Sequence, residues 1–315
     1  MDAEAVRAAA ERIAGQVHAT PVETSATLDS RLGATVAVKN EALQKTGSFK
    51  ARGALNRLLT LPREEIDRGL VAISAGNHAA ALAWAAGHVG AKATVVMPVH
   101  APAAKVAACR EYGAEVVLHG DTTGEAFAES ERLRDERGLS FVHPFDDPEI
   151  VAGQGTVALE LVGAAGPIDL WVVPVGGGGL ACGTALAVRA ANPDCRVIGV
   201  EPRGAQTLSA ALEAGHPVPI VPHSIADGLC APQAGERTFP LFRELVDEVV
   251  LLSEEEILDG VRFVMERMKI VVEPAGASGV AALLARRAGD VAGLRVGTVL
   301  SGGNLDLAAV VARLP

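Results

Sequence analysis

Cysteine is scarce in this chain of 315 residues, and an excess of positive charge and any long uninterrupted apolar run are missing altogether. The four cysteines, Cys109, Cys182, Cys195 and Cys230, form no CxxC pair, so neither a zinc ribbon nor a disulfide framework is indicated. Reduced thiols in a cytoplasmic protein are expected. Lys and Arg number 28 against 38 Asp and Glu, giving a formal net charge of −10, and a field of that sign repels polyanions. Neither a nucleic-acid nor a membrane partner is therefore expected. The longest apolar stretches, such as AAALAWAAGHVGA, are rich in Ala and Gly and broken by His88, which argues against a membrane span. No basic start with an apolar core marks a secretory signal, and there is no low-complexity linker or internal repeat.

What is present is hydrophobic content of 49% against 21% charged residues, a balance that excludes disorder and suits a metabolic protein. The length fits two lobes better than one compact layer. MDAEAVRAAAERIAGQV places apolar residues at helical spacing and predicts an amphipathic N-terminal helix. Beyond it, short β-rich runs alternate with Ala-rich helical patterns: GLVAIS, KATVVMPV and EVVLHG form one series, and LWVVPV, RVIGVEP, DEVVLLS and VGTVLSGGN another. Near-continuous apolar strands separated by helices are the grammar of parallel sheets covered on both faces. A break is expected near VHPFDDPEI, where prolines and polar residues interrupt the pattern.

Three glycine-rich turns follow predicted strands. VPVGGGGLACGTALAV sets Gly176, Gly177, Gly178 and Gly179 between a strand and a helix, where free N–H groups and the helix N-terminus suit an anion. The bland alternative is a tight turn, which rarely needs four consecutive glycines. Gly176, Gly178 and Ala181 also satisfy a loose GxGxxA, with Glu201 ending the next strand, so a nicotinamide-dependent dehydrogenase is a rival. In ISAGNHAAALAW the Ser74 hydroxyl, the Asn77 amide and nearby N–H groups could hold a carboxylate; ordinary capping is the alternative, and His78 taken alone reads as structural. LSGGN puts Ser301 at a strand's carboxyl end, where ligands of open α/β sheets collect. Finally, TGSFK carries Lys50 into a helix-compatible run, with Thr46, Gly47 and Ser48 suited to capping it.

Taken in order, TGSFKARGALN, SAGNHA, GQGTVALEL, VGGGGL, ADGL, EPAGA and LSGGNLDL resemble the fold type II pyridoxal-phosphate enzymes, in particular the serine/threonine dehydratase and serine racemase group. The resemblance runs from about Thr20 to Asp306. It implies a two-domain α/β fold like that of the tryptophan synthase β chain, with parallel sheets flanked by helices. Residues 1–68 and 147–315 would form a large cofactor domain and 69–146 a small domain carrying the substrate loop. It further implies that Lys50 holds pyridoxal 5′-phosphate as a Schiff base and that Phe49 packs on its ring. Asn77 would contact the phenolic oxygen, Gly176 to Gly179 with Leu180 the phosphate, and Ser301 the ring nitrogen; Gly228 and Glu273 would line the pocket. Ser74, Ala75, Gly76, Asn77 and His78 would receive the substrate, with Lys50 and Ser74 catalytic.

The activity so implied is dehydration and deamination of L-threonine or L-serine by a homodimer. Serine racemisation and 3-hydroxyaspartate dehydration are the rivals on this scaffold, and a non-catalytic cofactor carrier or ligand sensor is the remote one. Ala75 stands where racemases of the group carry a second serine, which favours elimination. Glu201 and the Ala205 carbonyl match a cation site of racemase-type members, but Thr207 replaces its second carboxylate, so no metal is expected. Asp121 and Glu125 in GDTTGEAF are expected to repel an acidic substrate side chain, placing threonine and serine ahead of 3-hydroxyaspartate. Because the sequence stops at Pro315, the regulatory domain of larger threonine dehydratases is not expected.

Overall fold

The structure, a computed structural model, describes residues 1–313, so the expectation drawn from Pro315 lies outside the described residues. Ten strands form two sheets: β1 (Val22–Glu23), β2 (Thr35–Asn40), β3 (Leu70–Ile73), β4 (Ala93–Met97), β5 (Glu115–Leu118), β6 (Ser140–Phe141), β7 (Leu170–Pro174), β8 (Arg196–Pro202), β9 (Glu248–Leu252) and β10 (Arg295–Leu300). One sheet has the order β1-β2-β10-β7-β8-β9 and the other β5-β4-β3-β6. Every pairing is parallel except that of the two-residue β1 with β2, so the larger sheet is mixed at one edge. The apolar runs are the interior strands: β4 and β7 are buried along their whole length. Helices cover both faces, as unbroken apolar strands require.

Parallel strands deliver all their carboxyl ends to one edge, and the order of each sheet fixes where a crevice opens there. In the larger sheet the chain steps outward from β7 through β8 to β9, then returns to place β10 on the other side of β7. The smaller sheet does the same, stepping from β3 to β4 and β5 and returning with β6. Loops leaving β7 and β10 diverge around one crevice, and loops leaving β3 and β6 around another; such switch points are where ligands settle.

The N-terminal helix is Ala3–Ile13, capped by Asp2 and burying Val6, Ala9 and Ile13 as its spacing predicts. The helix that begins at Lys50 differs from expectation at its start. Phe49 is the cap residue and makes no side-chain cap bond, while the Ser48 and Thr46 hydroxyls are buried without partners. The TGSF segment is held instead by backbone pairing with the end of β10: Ser48 bridges Gly302, the Phe49 N–H donates to the Ser301 carbonyl at 3.0 Å, and the Gly303 N–H to the Gly47 carbonyl at 2.9 Å. Thr46 and Gly47 turn left-handed to allow it, at φ 61° and 72°, and a Cβ on Gly47 would sit 2.4 Å from the Asn304 amide oxygen.

The same helix is anchored in the core by charge. Arg52 is fully buried, its Nε and Nη2 donating to the Glu41 carboxylate at 2.7 and 2.8 Å and its Nη1 and Nη2 to Glu160 at 2.6 and 2.9 Å. Lys39, buried on β2, adds a 2.6 Å bond to Glu160 and another to the Thr20 carbonyl. Two cations meet two carboxylates, and burial is offset by pairing: the Glu160 carboxyl, although desolvated, is pulled below its ordinary range by the bonds from Arg52 and Lys39. Removing Arg52 strands the fully buried Glu41 without water, while Glu160, one-third exposed, keeps partial hydration. Arg52→Ala should therefore lower unfolding stability by about 3–5 kcal/mol, read by urea titration of the cofactor-free protein. A loss below about 1 kcal/mol would show that the cluster contributes little beyond a surface ion pair.

Candidate active site

Between the carboxyl edges of the two sheets lies a cleft of about 860 Å³. The cleft brings together every sequence-predicted site residue: Phe49, Lys50, Ser74, Ala75, Gly76, Asn77, His78, Gly176 to Gly179, Leu180, Gly228, Glu273 and Ser301 all line it. The loop after β7 and the residue after β10 come from the switch point of the larger sheet, and the Ser74 loop from that of the smaller.

Lys50 sits in the cleft, its Nζ donating to the Pro144 carbonyl at 2.7 Å and lying 5.2 Å from the centre of the Phe49 ring. Burial lowers its pKa from 10.5 to about 8, because the ammonium form loses hydration. Two histidines stand near it as neutral bases. His78 bonds through Nε2 to the Val142 carbonyl at 3.0 Å, and burial and then the nearby Lys50 charge push its pKa down to about 3. The His143 Nδ1 accepts the Asp146 and Phe145 N–H groups at 2.7 and 3.2 Å, which places its proton on Nε2, and burial pushes it down to about 4. Glu273 shifts the other way, to about 7, through burial and the neighbouring Asp227 charge. Its carboxylate accepts the Asn77 amide at 2.7 Å, and the Asn77 carbonyl accepts Asn304 Nδ2 at 2.9 Å, linking the Ser74 loop to the end of β10.

The glycine turn has no room for side chains. A Cβ on Gly177 would lie 2.4 Å from the Phe145 ring, and one on Gly179 3.1 Å from Phe145. Gly178 adopts φ 94°, a conformation that favours glycine. Thr238 fixes the turn by donating its hydroxyl to the Gly177 carbonyl at 2.8 Å. The helix Gly179–Ala191 then begins with N–H groups that have no intrahelical acceptor. A small anion-receiving cradle facing a desolvated amine fits pyridoxal phosphate, which carries both a phosphate and an amine-reactive aldehyde.

Several functional-looking residues prove otherwise. Glu201 neither reads a ribose nor faces the cleft: its carboxylate accepts Leu208 N–H at 2.7 Å and Ser209 N–H and Oγ at 3.0 and 2.6 Å, anchoring the helix Thr207–Ala214. The Thr207 hydroxyl is spent on the Ala231 carbonyl at 2.7 Å. Asp121 and Glu125 also turn away from the cleft lining. Glu125 closes a capping box with Thr122, and Asp121 lies 3.1 Å from His100, so the repulsion expected of them has no geometric basis.

Sequence reasoning missed the loop His143–Asp146, which lay in the stretch read as a domain break, and it missed Lys105 and Asp227. These two line the cleft and pair at 2.5 Å. Their signal was weak: Lys105 is an isolated lysine in an Ala-rich helix, and Asp227, although inside the ADGL motif, has no role that the motif assigns.

Comparisons with known proteins agree on one family. A family model described as pyridoxal-phosphate dependent enzyme matches residues 13–302. An L-threo-3-hydroxyaspartate ammonia-lyase from a Pseudomonas species is 45% identical over 95% of this chain and 94% of its own. An L-threonine ammonia-lyase from Thermotoga maritima is 43% identical over 96% of this chain and 76% of its own. The solved structure of maize serine racemase superposes with a TM-score of 0.93 at 38% identity, covering 99% of this chain and 96% of that one.

The lowered pKa of Lys50 has a direct readout in cofactor-free protein. Acetylation of Lys50, followed by peptide mass spectrometry across a pH series, should rise through a midpoint near pH 8, because the neutral amine is the nucleophile and a depressed pKa makes it available earlier. A midpoint above about 10 would show that the cleft does not desolvate the amine.

Proposed function

This chain belongs to the pyridoxal-phosphate dependent enzymes, and from that premise we propose that it dehydrates and deaminates L-threonine and L-serine, releasing 2-oxobutanoate or pyruvate and ammonia. The observation that carries the reading is that the Lys50 amine, the Ser74 to His78 loop and the glycine cradle converge on one cleft. When bound, pyridoxal phosphate supplies an acceptor for the electron pair left at the substrate's Cα. The chain's own residues do the rest. Lys50 would hold the aldehyde through Nζ, with Phe49 beside the ring and Gly176 to Gly179 and Leu180 around the phosphate. Ser74, Ala75, Gly76, Asn77 and His78 would receive the substrate carboxylate at the N-terminus of the helix Asn77–Val89. Once free, the Lys50 amine takes the α-proton, a task for which a pKa near 8 suits it. The β-hydroxyl leaves as water, and hydrolysis of the released enamine gives the 2-oxo acid and ammonia.

Ser301, buried after β10 in the cleft lining, would offer the ring nitrogen only a neutral hydroxyl. A carboxylate there would favour long storage of charge at Cα; a hydroxyl favours prompt elimination. Segment 69–146 would close over the rest of the chain to exclude water. We further propose a homodimer in the cytoplasm: the family resemblance supports the first, and four unpaired cysteines support the second. Elimination from 3-hydroxyaspartate is a second reading favoured by one observation, the presence of the Lys105 cation in the cleft lining.

Lys50→Ala should abolish both the yellow colour of the purified protein and 2-oxo acid release; a variant with normal turnover would remove Lys50 from the mechanism. A separate expectation concerns the face opposite Lys50, where Ala75 cannot carry a proton. Wild type should convert L-serine mainly to pyruvate with little D-serine, and Ala75→Ser should raise the ratio of D-serine to pyruvate. Chiral chromatography of the products decides it: abundant D-serine from wild type would mean that another residue serves that face.

A further inference from the structure

The helix Ala103–Glu111 follows β4, next to β3 and its Ser74 loop, and turns Lys105 into the cleft. Asp227 stands across from it in the turn Asp227–Leu229, on the side of the larger sheet, and accepts its ammonium at 2.5 Å. Among the described residues this is the one ion pair that joins segment 69–146 to the rest of the chain. It shares the cleft lining with the Ser74 to His78 loop and with Glu273, whose carboxylate holds Asn77.

The charge of the cleft gives the pair its meaning. Its lining cations are Lys50 and Lys105, and its carboxylates are Asp146, Asp227, Glu236 and Glu273. Lys50 is committed to the cofactor in the reading above. Asp146 is engaged by the Arg237 and Thr238 N–H groups. Lys105 is thus the remaining lining cation that a second substrate carboxylate could use, and Asp227 already holds it. The pair is exposed by 31% and 60% at its two side chains, so the attraction is screened and a competing anion or a single substitution can open it.

We propose that the Lys105–Asp227 pair sets the side-chain selectivity of the site. With Asp227 holding Lys105, a substrate's β-substituent meets a masked cation and a carboxylate, which favours neutral side chains and opposes a β-carboxylate. Without the Asp227 charge, Lys105 passes to the substrate and the acidic hydroxyamino acid gains. This rests on the reading of the cleft as a hydroxyamino acid elimination site.

The test compares holoenzyme with its Asp227→Asn, Asp227→Glu, Lys105→Met and Asp227→Asn/Lys105→Met variants. One arm measures 2-oxo acid release from L-threonine and L-threo-3-hydroxyaspartate. The other titrates the bound-cofactor absorbance with L-2-aminobutyrate and L-aspartate, which carry the two side-chain types without a β leaving group. Asp227→Asn should shift both the kcat/KM ratio and the affinity ratio toward the acidic ligand by about tenfold or more. Asp227→Glu should keep the wild-type ratios, and the double variant should lose the gain. Unchanged ratios in Asp227→Asn, or a gain that survives without Lys105, would overturn the proposal. If wild type releases no 2-oxo acid from either substrate, the elimination reading fails, while the affinity ratios still decide the role of the pair.

Discussion

A guanidinium without water must find acceptors in every direction its N–H groups point, and Arg52 finds them on several elements distant in sequence. Glu41 follows β2, Glu160 and Thr156 lie on the helix Pro148–Ala165, and His18 contributes a carbonyl from the segment after the first helix. Each is fixed relative to the others by the directionality of the fork. Two residues along a helix turn the side chain by about 200°, so the anchoring of Arg52 in the core leaves Lys50 facing the opposite way, into the cleft. Net stabilisation by such a buried cluster is small compared with apolar packing, but its geometric demand is strict. The Lys50 amine is positioned by a neighbour that does not line the cleft.

The cleft applies one physical rule to several groups. Burial disfavours charge, so Lys50 and the two histidines drop while Glu273 rises. The result is a lining with less fixed charge than its sequence suggests. That environment strengthens each interaction made with an anionic cofactor and a zwitterionic amino acid, since fewer fixed charges compete for them.

Legibility followed the same division between apolar pattern and buried charge. The strands β3, β4, β5, β7, β8, β9 and β10 could be read because continuous Val and Ile runs between helical segments admit few alternatives. β2 could not: TVAVKN carries Lys39, which reads as solvent-exposed until Glu160 is brought against it by a distant helix. The Arg52 cluster was hidden for that reason. At the site, most residues embedded in multi-residue motifs were found, Asp227 of ADGL excepted, and isolated ones such as Lys105 were not. Lys105 and Asp227 acquire meaning only as a pair, and pairing across the chain has no local signal. Glu201 misled in the reverse sense, because its placement after a strand suits a ribose, a cation or a helix N-terminus, and only the backbone that follows distinguishes them.

The last strand among the described residues, β10, is inserted in the middle of the larger sheet, between β2 and β7. During synthesis, β2 and β7 leave the ribosome long before the segment that separates them, and each presents an unpaired apolar edge for that interval. The backbone pairing of Ser48 with Gly302 cannot form earlier either. A nascent chain that lacks β10 therefore has neither a closed sheet nor a complete cofactor site. Termination before β10 should yield not a weak enzyme but a sticky fragment, because the larger sheet cannot close until that strand has been made.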